Sequence, residues 1–319
     1  MGKIIEFNGE FSLRQHRDRI ADLRVGEIVR PADVRAAVDA DMDRGKGPHG
    51  ARWPWPSSRD DFALGEGCIS VLASDGGVGK STLVSQWALS MMPDFPVGII
   101  SVEEGTIKVV RRLITQFSNT VEPSKSQREQ YWDTAAHRNA LIYDCPQAIK
   151  PVDAYAACWS MFDEGARVIF LDNMQSCGCR TDSDEERDFI NEVKAICQAT
   201  KMHIVLVHHV RKTGGDSENP KPTRDRVKGN GAITQLVDNV LLLWRNRDRQ
   251  EARRLEDYGH PLTEDQRRVL NENPDLELTV SKQRDGEDHW VLALWDGNGL
   301  TFKDERYGDD LKLGRISLI

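Results

Sequence analysis

The sequence predicts an α/β fold: a phosphate-binding loop set in a mostly parallel central sheet flanked by helices, with an N-terminal helical arm. Three observations predict it. From about residue 67 onward, short runs that are apolar at nearly every position alternate with helix-forming stretches, as strands covered on both faces should. One of these runs leads directly into "SDGGVGKS" at 74–81, which is close to the G-x-x-x-x-G-K-[ST] pattern of a phosphate cradle. Residues 1–62 have a different, largely polar character, which sets the arm apart from an expected ATPase motor domain at 63–319.

Composition narrows the classes. The 319 residues are enough to bury a substantial core. A formal charge of −8 gives no global attraction to nucleic acid, so any such contact must come from local basic loops. No run of eighteen apolar residues occurs and "MGKIIEFNGEFSLRQ" lacks an apolar secretion-signal middle, so the expectation is a cytoplasmic protein without membrane contact. Six cysteines without a CxxC pair, most in or beside apolar segments, read as reduced thiols.

In the arm, "PADVRAAVDADMDR" at 31–44 opens with a proline suited to a first helical turn. Val34, Ala37, Val38 and Met42 make one narrow apolar stripe that needs a surface to lean on. "GKGPHGARWPWPSSRDD" reads as an irregular connector pinned by Trp53 and Trp55. The expected strands are 68–73, 97–102, 140–144, 166–172, 202–208, 238–244, 276–282 and 289–295, with antiparallel character toward the C-terminal end. The charged stretch at 245–275 reads as a solvated helical excursion.

The cradle works as strand, tight loop and helix start, and "CISVLA" before it and "STLVSQWALSMM" after it supply that context. Backbone N–H groups from Gly76 through Gly77, Val78, Gly79 and Lys80 to Ser81 point at phosphates, aided by the helix N-terminus, and Thr82 completes the block. Lys80 reaches the terminal phosphates and the Ser81 hydroxyl joins the shell of Mg²⁺. Ser74 stands where the pattern has its first glycine, a small penalty if the loop needs a positive φ there. "RVIFLDN" supplies Asp172 at a strand end to hold the magnesium through water, and "IISVEEG" supplies Glu103 and Glu104 to polarise a water toward the γ-phosphate. Spacing alone does not choose between the two glutamates.

"IVLVHHVRK" ends a strand with His208 and His209; one is a candidate sensor of the nucleotide and the other scaffold. From Arg211 to Lys228 six basic and three acidic residues lie among glycines and prolines. Arg211, Lys212, Lys221, Arg224, Arg226 and Lys228 make this loop the candidate contact to a phosphodiester backbone. Lys282 and Arg284 follow a strand, separated by one residue. Lys80 already serves their own subunit's site, so their attractive use is the pocket of a neighbouring copy. An arginine so placed is worth roughly 10³ to 10⁵ in rate in other phosphoryl-transfer systems.

Five blocks in order, "SDGGVGKST", "SVEEG", "IFLDN", "VHHVRK" followed by "KGNGAITQLVDNVLLLWRN", and "SKQRDGE", cover about residues 50–303. In these blocks the chain resembles the ring-forming replicative DNA helicases of the DnaB type, nearest the branch of the phage T7 helicase domain and mitochondrial Twinkle. The resemblance implies a RecA-like core, a hexameric ring, ATP or another NTP or dNTP hydrolysed with Mg²⁺ between subunits, and 5′ to 3′ movement on single-stranded DNA. It implies Glu103 as the catalytic carboxylate, His209 as the polar sensor, and Lys282 with Arg284 presented to the adjacent subunit, Arg284 as the finger. It gives "QSCGCRTDSDEE" a place facing the channel, although its acidity suits DNA poorly. The helix at 31–44 becomes a linker that docks on the neighbouring subunit or a lid on its own. The arm is too short for a primase-like domain and has no cysteines for zinc, so a separate primase and a loader are expected partners. Two other readings stand beside this one: a RecA-like ATPase that remodels a DNA complex without unwinding, and a weakly hydrolysing, nucleotide-gated assembly protein.

Overall fold

All eight apolar runs form strands. In a computed structural model, residues 11–23, 30–43, 48–144, 149–178, 184–211, 220–227, 232–297 and 299–306 are described. The arm contributes helices α1 (Leu13–Leu23) and α2 (Arg35–Asp43) and the two-residue strands β1 (Ala51–Arg52) and β2 (Ala63–Leu64). The body opens with β3 (Ile69–Ser74), α3 (Lys80–Met91) and β4 (Val97–Ser101). Three helices, α4 (Thr106–Ser118), α5 (Lys125–Trp132) and α6 (Ala135–Arg138), lead to β5 (Ala140–Asp144). Then come α7 (Pro151–Asp163), β6 (Val168–Asp172), α8 (Asp184–Thr200), β7 (His203–His209), α9 (Ala232–Leu236) and β8 (Asn239–Arg245). The chain closes with α10 (Arg247–Asp257), α11 (Glu264–Glu272), β9 (Leu276–Lys282), β10 (Trp290–Gly297) and β11 (Thr301–Lys303).

Nine strands form one sheet in the order β11-β10-β9-β8-β3-β7-β6-β4-β5. From β8 to β5 every pairing is parallel, and β9, β10 and β11 add antiparallel strands at the other end. Alternate side chains of one strand enter opposite cores, as the two-residue repeat requires. Val168 and Phe170 of β6 join one core while Ile169 and Leu171 join the other. Both faces are covered, which is why the strands read as solid apolar runs.

The connector packs into the first core rather than lying over it. Trp53 and Trp55 are buried; the Trp53 ring stacks on Phe62 at 4.8 Å and meets Trp290 edge-on at 5.4 Å. The Trp55 indole donates to the Phe302 carbonyl at 2.9 Å, pinning the connector to β11. Helix α1, which the sequence pattern does not announce, lies on α7 and α8 through the buried His16. Its Nδ1 accepts from the Trp159 indole at 3.1 Å and its Nε2 meets Glu192 at 3.0 Å. Helix α2 forms as expected but buries no residue, and Val38 and Met42 stay exposed. The charged excursion is the helix pair α10 and α11, anchored by the buried Arg249, which bonds Asp275 at 2.9 Å. No described helix is long and apolar enough to cross a membrane. Among the described residues, Cys68, Cys158, Cys177 and Cys197 form no disulfide.

A buried histidine ties the sheet to the connector. His203 Nδ1 lies 2.8 Å from the Gly65 carbonyl, which only accepts, so Nδ1 carries the proton. Nε2 then accepts from the Ser70 hydroxyl at 2.7 Å, while Asn239 donates to the Ser70 oxygen at 2.9 Å. Burial brings the His203 pKa down to about 4. The unfolded chain therefore takes up a proton below pH 6.5 that the folded chain refuses until about pH 4. This contribution to stability is complete above 6.5 and is lost as the pH falls toward 4. Chemical denaturation at pH 7 and pH 4 should show wild type losing ~3 kcal/mol more than His203→Gln. Equal losses in the two proteins would contradict this.

Candidate active site

Strand register brings the site together. Ser74 pairs with His209 across β3 and β7, and Ser101 pairs with Asp172 across β4 and β6. The C-terminal ends of four parallel strands therefore share one edge of the sheet, where open α/β sheets bind ligands. Helix α3 starts there at Gly79, which has φ 111° and provides no side-chain cap. The first backbone bond back into the loop runs from Leu83 to the Gly79 carbonyl at 3.0 Å. The N–H groups of Lys80, Ser81 and Thr82 thus lie at the open helix end with its positive dipole. A Cβ on Gly76 or Gly77 would meet nothing within 4 Å, so the loop faces open space. Val78 is anchored from behind, its carbonyl accepting from Arg245 Nε at 2.9 Å.

The serine at the first cradle position carries no backbone penalty. Among the described non-glycine residues, only Asn119, Lys201 and His289 have positive φ. Ser74 ends β3 in extended conformation, and its hydroxyl donates to the Asp75 carbonyl at 2.8 Å. The same oxygen accepts from Lys80 Nζ at 3.1 Å. Lys80 is only 8% exposed. Its ammonium also meets the Asp75 carbonyl at 2.8 Å, the Ser74 carbonyl at 3.4 Å and His209 Nδ1 at 3.3 Å.

Beside it, the Ser81 hydroxyl donates to Asp172 Oδ2 at 2.8 Å. Burial raises the Asp172 carboxyl above its ordinary pKa; the Ser81 hydrogen bond opposes this, Glu103 adds to it and Lys80 opposes it. A hydroxyl and a carboxylate at this separation are hard oxygen donors suited to Mg²⁺, which keeps several waters and takes phosphate oxygens as further ligands. The two glutamates part company. Glu104 is held by Arg112 of α4 in a two-pronged pair at 2.7 and 2.5 Å. Glu103 instead turns to Asn173, whose amide donates to Oε1. His208 is fully buried and faces Glu186 at 3.7 Å, away from the cradle.

Two groups of predicted residues do not join this cluster. Lys282 lies opposite Val240 at the far end of β8, where its ammonium caps α9 through the carbonyls of Thr234, Gln235 and Val237 at 3.1, 3.3 and 2.5 Å. Arg284 pairs with Asp238 at 2.8 Å and remains 60% exposed. In the basic loop, Lys212 and Lys228 lie outside the described residues. The described part is folded onto the body: Val227 bridges Val210, Lys221 pairs with Glu277 at 2.5 Å, and Arg224 donates to the Ser281 carbonyl. Arg226 donates to the carbonyls of Lys221 and Arg211 at 3.3 and 3.2 Å. Sequence reasoning missed Arg245, Arg112 and Asn173. The "WRN" and "LDN" letters were visible, but only folding brings them to the cradle.

Fold and site together define a RecA-like P-loop domain. Residues 31–215 match the AAA domain family, and the chain belongs to that family. Among curated proteins no match to the sequence is found. Among solved structures, the ATPase domain of a phage replicative helicase is similar with a TM-score of 0.69 at 14% identity, over 87% of this chain and 99% of that one. A DnaB-like replicative helicase, described together with its interactions with primase, is similar with a TM-score of 0.65 at 15% identity, over 87% of this chain and 67% of that one. At these identities the likeness is one of fold.

The glycines of the cradle differ in what they tolerate. A Cβ on Gly79 would lie 3.0 Å from the Phe302 ring and 3.3 Å from Arg245, at a φ that L-residues avoid. Gly79→Ala should therefore destabilise the nucleotide-free protein by about 1–3 kcal/mol. Gly76→Ala, which meets open space, should change it by less than about 0.5 kcal/mol. Urea unfolding without nucleotide checks this; equal losses would contradict it.

Proposed function

We propose that this chain hydrolyses ATP at sites completed by a second copy of itself, and uses the hydrolysis to travel on single-stranded DNA as a hexameric ring helicase moving 5′ to 3′. One observation carries the reading. Lys80, Ser81, Asp172 and Glu103 meet at one edge of the sheet, while Lys282 and Arg284 lie at the opposite end of β8, which runs from Asn239 to Arg245. The length of that strand separates them, on the order of 20 Å, too far for Arg284 to reach its own cradle. An exposed cation so placed is available to another protomer's site.

In this mechanism the loop N–H groups and Lys80 hold the β- and γ-phosphates of ATP or a related NTP. Magnesium held by Ser81 and Asp172 supplies neutralisation of phosphate charge. Glu103 takes the proton of the attacking water as its oxygen bonds to the γ-phosphorus and the bond to the β-phosphate oxygen breaks. His209, in contact with Lys80, senses the γ-phosphate. The neighbour's Arg284, with Lys282, meets the charge that develops on the transferring group, after Arg284 exchanges Asp238 for phosphate. A cleft of about 440 Å³ beside Arg245 leaves room for the base and ribose.

The arm has a role in assembly. The exposed stripe of α2 lies among Asp33, Asp39, Asp41 and Asp43. A groove of about 580 Å³ between α4 and α5 is apolar at Ile107, Val110, Ile114 and Val121 and basic at Arg111 and Arg128. The two surfaces complement each other, and α2 of one copy docks in the groove of the next. DNA passes the loop from Arg211 to Lys228, whose cations leave their intramolecular partners for phosphates. A primase and a loader would act as separate chains.

Two inactive variants test the shared site. Glu103→Gln and Arg284→Ala should each lower turnover by about 10³-fold while still binding nucleotide. Mixed together, they should recover part of it, because some interfaces then combine an intact Glu103 with an intact Arg284. Single-stranded DNA should raise turnover of the wild type, and a forked duplex should be unwound. Full activity of Arg284→Ala, or no recovery on mixing, would contradict the proposal; ATP turnover without strand displacement would favour a remodelling ATPase.

A further inference from the structure

We propose that Asn173 is the positioning residue for the hydrolytic base: its side-chain amide fixes Glu103 and takes its own orientation from the turn that follows β6. The proposal rests on the reading of Glu103 as that base.

Asn173 directly follows Asp172 and is 1% exposed. An asparagine amide donates from one end and accepts at the other, so its two neighbours decide how it points. The Ser176 backbone N–H donates to Oδ1 at 2.9 Å, capping the short 3₁₀ turn Met174–Cys177. An N–H only donates, so Oδ1 must face the turn. Nδ2 then faces the other way, where it donates to Glu103 Oε1. A carboxylate only accepts, so both ends are matched, and the flipped amide would be mismatched at both. The turn is itself held, because the Ser176 carbonyl accepts from the Ile149 N–H at 3.2 Å.

The contact supplies what an exposed glutamate at a strand tip lacks. Glu103 is an exposed side chain with several rotors, and its neighbour Glu104 is already held by Arg112. The buried amide engages one oxygen of Glu103 and leaves the second to take the proton of water. Asn173 Nδ2 also lies 3.5 Å from His209 Nε2, and His209 touches Lys80. One amide thus stands between the base and the residue beside the phosphate-binding lysine. A shift of the turn would move Asn173, and with it the carboxylate.

Asn173→Asp separates this role from a structural one. Aspartate caps a helical turn as well as asparagine does, so the bond from Ser176 survives, but an acceptor replaces the donor that faces Glu103. Misplacing a reacting group by about 1 Å costs on the order of 10²-fold; kcat for ATP should fall by about that factor in Asn173→Asp, with KM within about 3-fold of wild type. Asn173→Ala should show the same split. On a Glu103→Gln background, Asn173→Asp should lower the remaining turnover no further, because its effect passes through Glu103. Wild-type kcat in Asn173→Asp would overturn the proposal, as would a loss confined to KM or a full additional loss on the Glu103→Gln background. If Glu103→Gln alone keeps wild-type turnover, the base assignment fails first, and that failure is read from the single variant.

Discussion

The buried ammonium of Lys80 is the constraint on which the site depends. A lysine so enclosed needs acceptors on every side, and it finds them in the Ser74 hydroxyl, the Ser74 and Asp75 carbonyls and His209. All of these come from the tips of two neighbouring strands. The serine that breaks the cradle pattern is therefore one of the acceptors. A glycine there would provide the carbonyl but not the hydroxyl. Lys80 meanwhile stands at the first residue of α3, where the unbonded N–H groups attract the same phosphates. Charge, helix end and loop are fixed by one packing decision.

From that point the sheet does the rest. Parallel strands carry all their C-terminal tips to one edge, and the pairings Ser74 with His209 and Ser101 with Asp172 put the remaining groups within a few ångströms. The antiparallel addition of β9 reverses direction, so the residues after it emerge at the other edge. Lys282 and Arg284 end where they serve no group of their own cradle. The same geometry that completes one half of a phosphoryl-transfer site leaves the other half on the far side of the protomer. A ring of identical copies is the simplest arrangement that joins the halves.

Much of this was legible in the sequence. The strands announced themselves because both faces of the sheet are covered, leaving no polar alternation to blur them. Asp172 and Glu103 were legible as acids at strand ends. The letters did not carry the roles that arise only between distant segments. Helix α1, "LRQHRDRIADL", is polar on average, and its seat depends on Trp159 and Glu192, both far along the chain. Arg245 and Asn173 look ordinary until folding brings one against Val78 and the other against Glu103. The loop after β7 reads by composition as a free basic segment, yet Lys221 and Arg224 are turned onto β9 by Glu277 and Ser281. Charge counts reveal no such pairing. The choice between Glu103 and Glu104, open from spacing, finds a physical basis in Arg112, which engages only the second.

The account stands or falls on the caged ammonium being a phosphate ligand. Calorimetric titration of Mg-ATP into the wild type and into Lys80→Ala measures this most directly. The account predicts binding that requires magnesium in the wild type, and an affinity reduced by about 10²-fold or more in the variant, the scale of removing one charge-assisted hydrogen bond from a desolvated site. Equal affinity in the two proteins would contradict it.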